Sequence, residues 1–170
     1  MTAALSPGRS AVWVAAGSAA WVLISVLVGA AAASLPVRLL ARDTVVTRIR
    51  SWEAGGRPYR RLGVHRWKAL LPEVNGLGPG QRPSKAVLGG RQGVEPLLRE
   101  TRRAEYVHLA VAVAGLSFPL WMPAPLGFVM LAGGVAFNLP FVLVQRYNRA
   151  RLLRVLAAGD AAARRREVLR

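Results

Sequence analysis

Cysteine is absent from the 170 residues, and only two histidines occur. A disulfide scaffold, a thiolate metal centre and a cysteine nucleophile are therefore excluded, and a His-rich metal site has no material. Acidic residues are scarce: 8 Asp+Glu stand against 24 Lys+Arg, for a formal net charge of +16. An acidic solvating chain is excluded on that balance. No Gly-rich phosphate loop, HExxH or GxSxG pattern is present, and there is no internal repeat. The most informative absence is local. No Asp, Glu, Lys or Arg occurs in the 28 residues from Ser10 to Val37, nor in the 40 from Tyr106 to Gln145.

A hydrocarbon core about 30 Å thick needs roughly 20 apolar residues in a helix. The first run fits one span over residues 11–35. The second is twice the necessary length, and Pro123-Ala124-Pro125 breaks it, because Pro lacks a donor and restricts the residue before it. A helical hairpin over 106–145 follows, with arms near Tyr106–Met122 and Leu126–Gln145. The first arm is short, so a re-entrant hairpin is the alternative. Ala31-Ala32-Ala33 resembles a signal-peptide cleavage site, but the apolar stretch is too long and cleavage would export a strongly basic segment. Retention as an anchor is the favoured reading.

Charge sets the expected topology. Arg9 alone precedes the first span, fifteen basic residues lie between Arg38 and Arg103, none lies in the hairpin turn, and eight follow from Arg146. The positive-inside tendency then places the N-terminus outside and the 37–105 segment and the C-terminus in the cytoplasm. The expected fold is an all-α membrane protein: one N-terminal span, a C-terminal helical hairpin and a basic cytoplasmic segment of short interfacial helices. The chain reads as a single multi-pass domain of the cell membrane, with a basic amphipathic tail over 146–170.

Within the cytoplasmic segment, Gly55-Gly56-Arg57-Pro58 predicts a turn and Tyr59–Leu71 a short helix interrupted at Gly63. Gly76–Gly80 divides the segment, Gln81–Gly93 reads as a loop, and a helix restarts near Val94 or Pro96 to run through Glu105 into the second span. After the third span, Arg146–Ala158 predicts an amphipathic helix ended by Gly159-Asp160.

Several polar residues stand out against this background. Glu100, Thr101, Glu105 and His108 lie where a helix enters the membrane, and Thr101, Glu105 and His108 share a helix face. A carboxylate beside an imidazole can orient a general base. The plainer alternative is an interfacial His, with Glu105 paired to Arg102 or Arg103. Asn138 and Gln145 share a face of the third span and must find partners in hydrocarbon. Arg146, Tyr147, Asn148 and Arg149 emerge on the same side as Glu105. Arg66, Lys68, Arg102, Arg103, Arg146, Arg149 and Arg151 can hold phosphates, although anionic headgroups and topology account for most of them. The charge would also suit nucleic acid, but no such module accompanies it.

These residues also carry a family resemblance. Glu100-Thr101-Arg102-Arg103-Ala104-Glu105-Tyr106-Val107-His108 resembles the ETxRAExxH pattern of the glycosyl-4,4'-diaponeurosporenoate acyltransferase family. The stretch Asn138–Leu152 resembles its NxPxxxVQRYNRxRL signature. Arg66-Trp67-Lys68, after Trp52 and Tyr59, resembles a weaker third block. The resemblance implies an integral membrane acyltransferase that esterifies a sugar hydroxyl of a glycosylated carotenoid or related amphipathic lipid. Acyl transfer to a hydroxyl needs a base, and the residues offer His108 and Glu105 as the expected catalytic pair, with Glu105 orienting His108 for direct attack on a thioester. Glu100, Arg66, Trp67, Lys68, Arg102, Arg103, Asn138, Gln145, Arg146, Tyr147, Asn148 and Arg149 would bind substrate, and Arg146, Asn148 or Asn138 would supply oxyanion donors. No cofactor or metal is expected to be bound; acyl-CoA is the expected donor, and membrane lipids are the expected partners. Ser117 and Thr101 are the remaining candidate nucleophiles. The competing reading is a non-enzymatic membrane scaffold or lipid-binding protein.

Overall fold

The structure, a computed structural model, describes residues 6–71 and 90–169. The expected division at Gly76–Gly80 and most of the loop expected at 81–93 lie outside the described residues. Among the described residues every regular element is helical. In chain order these are α1 (Pro7–Ala33), α2 (Val37–Ala41), a 3-10 turn (Ser51–Gly56), α3 (Arg57–Arg61), α4 (Val64–Trp67), a second 3-10 turn (Lys68–Leu70), α5 (Gly90–Ala114), a third 3-10 turn (Gly115–Ser117), α6 (Phe118–Trp121) and α7 (Ala124–Val168). Three helical stretches, Pro7–Ala33, Gln92–Trp121 and Ala124–Val168, are long and apolar enough to cross a membrane. Their large apolar residues, among them Val22, Leu23, Val26, Leu27, Phe128, Val129 and Phe137, lie exposed. Contiguous exposed apolar surface of this kind is what a lipid-facing helix requires.

The chain divides into two compact units, residues 1–34 with 106–140, and 35–105 with 141–170. In the first unit, Trp21 is the central wedge. Its ring stacks on Phe118 with centroids 5.0 Å apart, and it lies against Gly115 and Gly134. A Cβ at Gly134 would run into the Trp21 ring, and one at Gly115 would fall 2.9 Å from it. Gly127 likewise lets the backbone of Pro119 approach, so that any side chain there would meet it at 2.7 Å. Small residues at helix contacts are how membrane helices pack without a hydrophobic driving force between them. Chain reversal falls where Pro123-Ala124-Pro125 predicts it: Met122 is extended, at φ −99° and ψ 156°, and α7 begins at Ala124.

In the second unit, Gly55, Gly56 and Gly63 adopt φ of 68°, 74° and 70°. These left-handed positions carry the turn expected at Gly55-Gly56 and the interruption expected at Gly63, since only glycine takes such angles without steric cost. Gly56 also admits the Tyr147 ring, which a Cβ would meet at 3.0 Å. One small core joins Tyr59, Val64 and Tyr147, and another joins Val94, Leu98 and Leu152.

Two expected boundaries move. Helix α5 begins at Gly90, ahead of Val94, with Pro96 inside it. An interior Pro costs about 3 kcal/mol, and burying Val94 and Leu98 against Leu152, at roughly 1.5–3 kcal/mol for each side chain, offsets it. Helix α7 continues through Gly159-Asp160 to Val168. One helical Gly costs only about 1 kcal/mol relative to Ala, and the alanines at 157, 158 and 161–163 supply strong helix formers around it.

Adjacent glycines offer a paired test. Gly133 faces open space whereas Gly134 faces the Trp21 ring. Gly133→Ala is expected to leave the thermal midpoint in detergent unchanged or slightly raised, while Gly134→Ala loses about 1–3 kcal/mol by overpacking. Equal midpoints for the two variants would contradict the wedge.

Candidate active site

His108 on α5 and Asn138 on α7 meet in the first unit. Nδ1 of His108 lies 2.9 Å from Oδ1 of Asn138, and the Asn138 amide nitrogen donates to the Gly134 carbonyl at 2.8 Å. That second bond fixes the amide orientation. Because the Asn138 oxygen can only accept, Nδ1 of His108 must be the donor. The neutral ring therefore carries its lone pair on Nε2, the arrangement a general base needs. The two hydroxyls considered as nucleophiles are otherwise committed: Ser117 donates to the Ala114 carbonyl and Thr101 to the Leu98 carbonyl, each at 2.8 Å.

In the second unit the organising group is Arg146. Its Nε donates to Glu53 at 2.8 Å and to the Tyr59 hydroxyl at 3.1 Å. Nη1 donates to the Val46 carbonyl at 3.0 Å and to Glu105 at 2.6 Å. Nη2 donates to the Arg48 carbonyl at 3.0 Å and to Glu53 at 2.7 Å. All five guanidinium N–H groups are thereby satisfied. Tyr59 donates its hydroxyl to Glu53, and the Arg50 backbone N–H donates to the same carboxylate at 2.8 Å. Glu105 gives its other oxygen to Arg149.

Glu105 is thus held by Arg146 and Arg149, while Arg102 turns to Asp43 (2.8 Å) and the Leu40 carbonyl (2.9 Å). Arg103 pairs with Glu100 at 2.5 Å. Arg149 is fully buried, and its Nε and Nη1 have no hydrogen-bond partner among the described residues. A buried cation with idle donors is a costly arrangement that a ligand oxygen would relieve. Lys68 donates to Asn148 at 3.2 Å and lies over the Tyr147 ring. Trp67 donates its indole N–H to the Leu62 carbonyl at 3.0 Å. Gln145 is half-buried beside Arg146, and Arg66 is exposed. The structure therefore brings together His108 with Asn138, Glu105 with Arg146 and Arg149, and Lys68 with Tyr147 and Asn148.

Sequence reasoning missed Glu53, Tyr59 and Asp43 as members of this network. A signal was available: an isolated carboxylate in a segment so rich in arginine must be paired. Which arginine it meets could not be read, since the partner lies 93 positions away.

Burial would raise the Glu53 carboxyl, but the bonds from Arg146, Tyr59 and the Arg50 backbone outweigh it and hold its pKa at about 2, against an ordinary 4.5. Burial and the bond to Glu53 push the Tyr59 hydroxyl up to about 12, against an ordinary 10.0. A lowered carboxyl pKa stabilises the fold fully above the unfolded value and loses that contribution as pH falls through the folded one. A raised phenol pKa stabilises it below the unfolded value and loses that contribution as pH rises through the folded one. The stability contributed by this pair should therefore hold between pH 4.5 and 10, then decline toward pH 2 and toward pH 12. Denaturation midpoints across pH check this: Glu53→Gln should flatten the acid limb and Tyr59→Phe the alkaline one. Arg146→Ala, which leaves the buried Glu53 carboxylate with no cation and Glu105 with Arg149 alone, should cost about 3–5 kcal/mol in the same assay.

The network spans the region that comparison with known proteins recognises. The profile of the family described as glycosyl-4,4'-diaponeurosporenoate acyltransferase matches residues 42–158. A protein of Staphylococcus haemolyticus (strain JCSC1435) with that same description is 26% identical over 137 residues, covering 79% of this chain and 80% of the relative. No solved structure matches the chain. The matched stretch holds Asp43, Glu53, Glu105, His108, Asn138, Arg146 and Arg149, and on its extent the chain belongs to the glycosyl-4,4'-diaponeurosporenoate acyltransferase family.

Proposed function

We propose that the chain is a membrane acyltransferase that esterifies a sugar hydroxyl of a glycosylated carotenoid or a related glycolipid with a fatty acyl group. The reading places the reaction at the cytoplasmic leaflet of the cell membrane, with the N-terminus outside and the C-terminus in the cytoplasm. The basic residues that flank the apolar helices support that orientation. Both substrates would keep their tails in lipid while hydroxyl and carbonyl meet near the polar boundary.

The observation that carries the chemistry is the His108–Asn138 pair, inside the matched region, with the tautomer set by a hydrogen-bonded amide. In this mechanism Nε2 of His108 takes the proton of the sugar hydroxyl. The oxygen attacks the carbonyl carbon of a thioester donor, taken here as acyl-CoA. The tetrahedral adduct collapses, the carbon–sulfur bond breaks, and the thiolate recovers the proton from His108. Direct transfer suits the two hydroxyls already bonded to helix carbonyls. Asn138 takes the orienting role that spacing suggested for Glu105. Glu105 and Arg146 position the cytoplasmic network, and the idle donors of Arg149 are offered to a ligand oxygen.

His108→Ala should lower acyl transfer by about 10²–10⁴-fold, the usual share of a general base, with expression unchanged. Asn138→Ala should lower it less, because the ring survives but loses its fixed tautomer. The measurement is mass spectrometry of acylated glycolipid in membranes from cells with and without each variant. Full product from the His108 variant would remove the mechanism. No acyl-ester difference for the unaltered chain would favour a non-enzymatic lipid-binding role.

A further inference from the structure

A second cluster in the cytoplasmic unit is used by none of the chemistry above. Gly55, Arg60, His65, Tyr147, Arg151 and Arg154 line an open cavity of about 250 Å³. Its basic residues come from three helices: Arg60 from α3, His65 from α4, and Arg151 and Arg154 from α7. Among the described residues no carboxylate lines it. The nearest acid in sequence, Glu53, is buried and held by Arg146, Tyr59 and the Arg50 backbone. Among the described residues, no salt bridge engages Arg60, Arg151 or Arg154.

The cavity is also built. Tyr147 is buried and forms one wall, with the Arg151 guanidinium 5.6 Å from its ring centroid. Gly55 takes a left-handed φ, and the Arg154 side chain packs beside it, at ordinary contact distance (3.5 Å to Cδ) from where a Cβ would stand. The three arginines are solvent-exposed, so water and salt screen their mutual repulsion, but an anion in the hollow can be held by all three. Planar, multiply donating guanidinium groups match phosphate oxygens best. The volume is below the usual 300–1,000 Å³ of a whole-ligand pocket. It suits a phosphate-bearing head whose acyl tail lies elsewhere.

We propose that this cavity is a phosphate-ester site that holds the phosphate-bearing end of the acyl donor. Assignment to the donor rests on the acyl-transfer reading; the phosphate chemistry does not. A nucleotide thioester such as acyl-CoA and an anionic phospholipid both present that chemistry, and the test separates them.

The full chain in phosphatidylcholine nanodiscs is titrated calorimetrically with coenzyme A and with adenosine 3',5'-bisphosphate. Arg151→Ala/Arg154→Ala should weaken binding by about tenfold or more, as loss of charge-assisted bonds predicts. Arg164→Ala/Arg166→Ala removes equal charge from the tail and should change it little. Arg151→Lys/Arg154→Lys should recover part of the affinity, and unchanged thermal midpoints show that the variants fold. If coenzyme A does not bind but phosphatidylglycerol vesicles lose affinity for the 151/154 variant alone, the site stands with a lipid headgroup as its source. If the 151/154 and 164/166 variants respond alike to every probe, the site is overturned and the charge is generic. Phosphate binding without acyl transfer would overturn only the enzymatic reading. Acyl transfer from acyl-CoA with no response at 151/154 would overturn only the site.

Discussion

Buried carboxylates in the arginine-rich unit must be neutralised, and Arg146 does most of that work. Glu53 is fully buried and Glu105 nearly so, and Arg146 reaches both. The same guanidinium takes the carbonyls of Val46 and Arg48, which fixes the loop that precedes Glu53. One side chain thus ties α7 to α5, to the 3-10 turn at Ser51–Gly56 and to α3. Ion pairs at this depth contribute little net stability, because desolvation opposes the attraction. Their value lies in exclusivity: removing the arginine leaves the buried Glu53 charge with no cation and Glu105 with Arg149 alone. The arrangement tolerates few alternatives, which a precise site needs.

Arg149 obeys the opposite logic. It shares Glu105 with Arg146, yet it is wholly buried with two nitrogens unpartnered among the described residues. Protein interiors rarely leave such donors idle. Positions about one turn apart on one helix therefore divide the labour: Arg146 is saturated and holds structure together, and Arg149 is unsaturated. The His108–Asn138 pair in the membrane unit applies the same economy, since one amide both anchors to its own helix and sets the imidazole tautomer.

Much of the architecture was legible. The charge-free runs located the apolar helices, and Pro123-Ala124-Pro125 located the reversal. Gly55, Gly56 and Gly63 marked the turns where left-handed backbone occurs. The start of α5 and the end of α7 were not legible, because Val94 and Leu98 find Leu152 only after folding. At the candidate site, His108, Asn138, Glu105, Arg146 and Arg149 were all singled out. Their pairing differed from the one suggested by spacing: Glu105 bonds to arginines some 40 positions away, and Nδ1 of His108 meets Asn138.

Sequence alone determined the greasy helices, the hairpin break, the basic segments that flank them and the family motifs. Those are local or additive properties, set by hydropathy, by proline and glycine backbone limits and by contiguous residues. Tertiary structure alone decided which of many arginines each acid would meet, which glycines would admit the Trp21 ring, and that Arg60, His65, Arg151 and Arg154 would surround one hollow. With 24 basic residues and 8 acidic ones, composition allows a great many pairings. Only the packing of helices distant in sequence brings particular charges within a few ångströms, where low dielectric makes the choice binding.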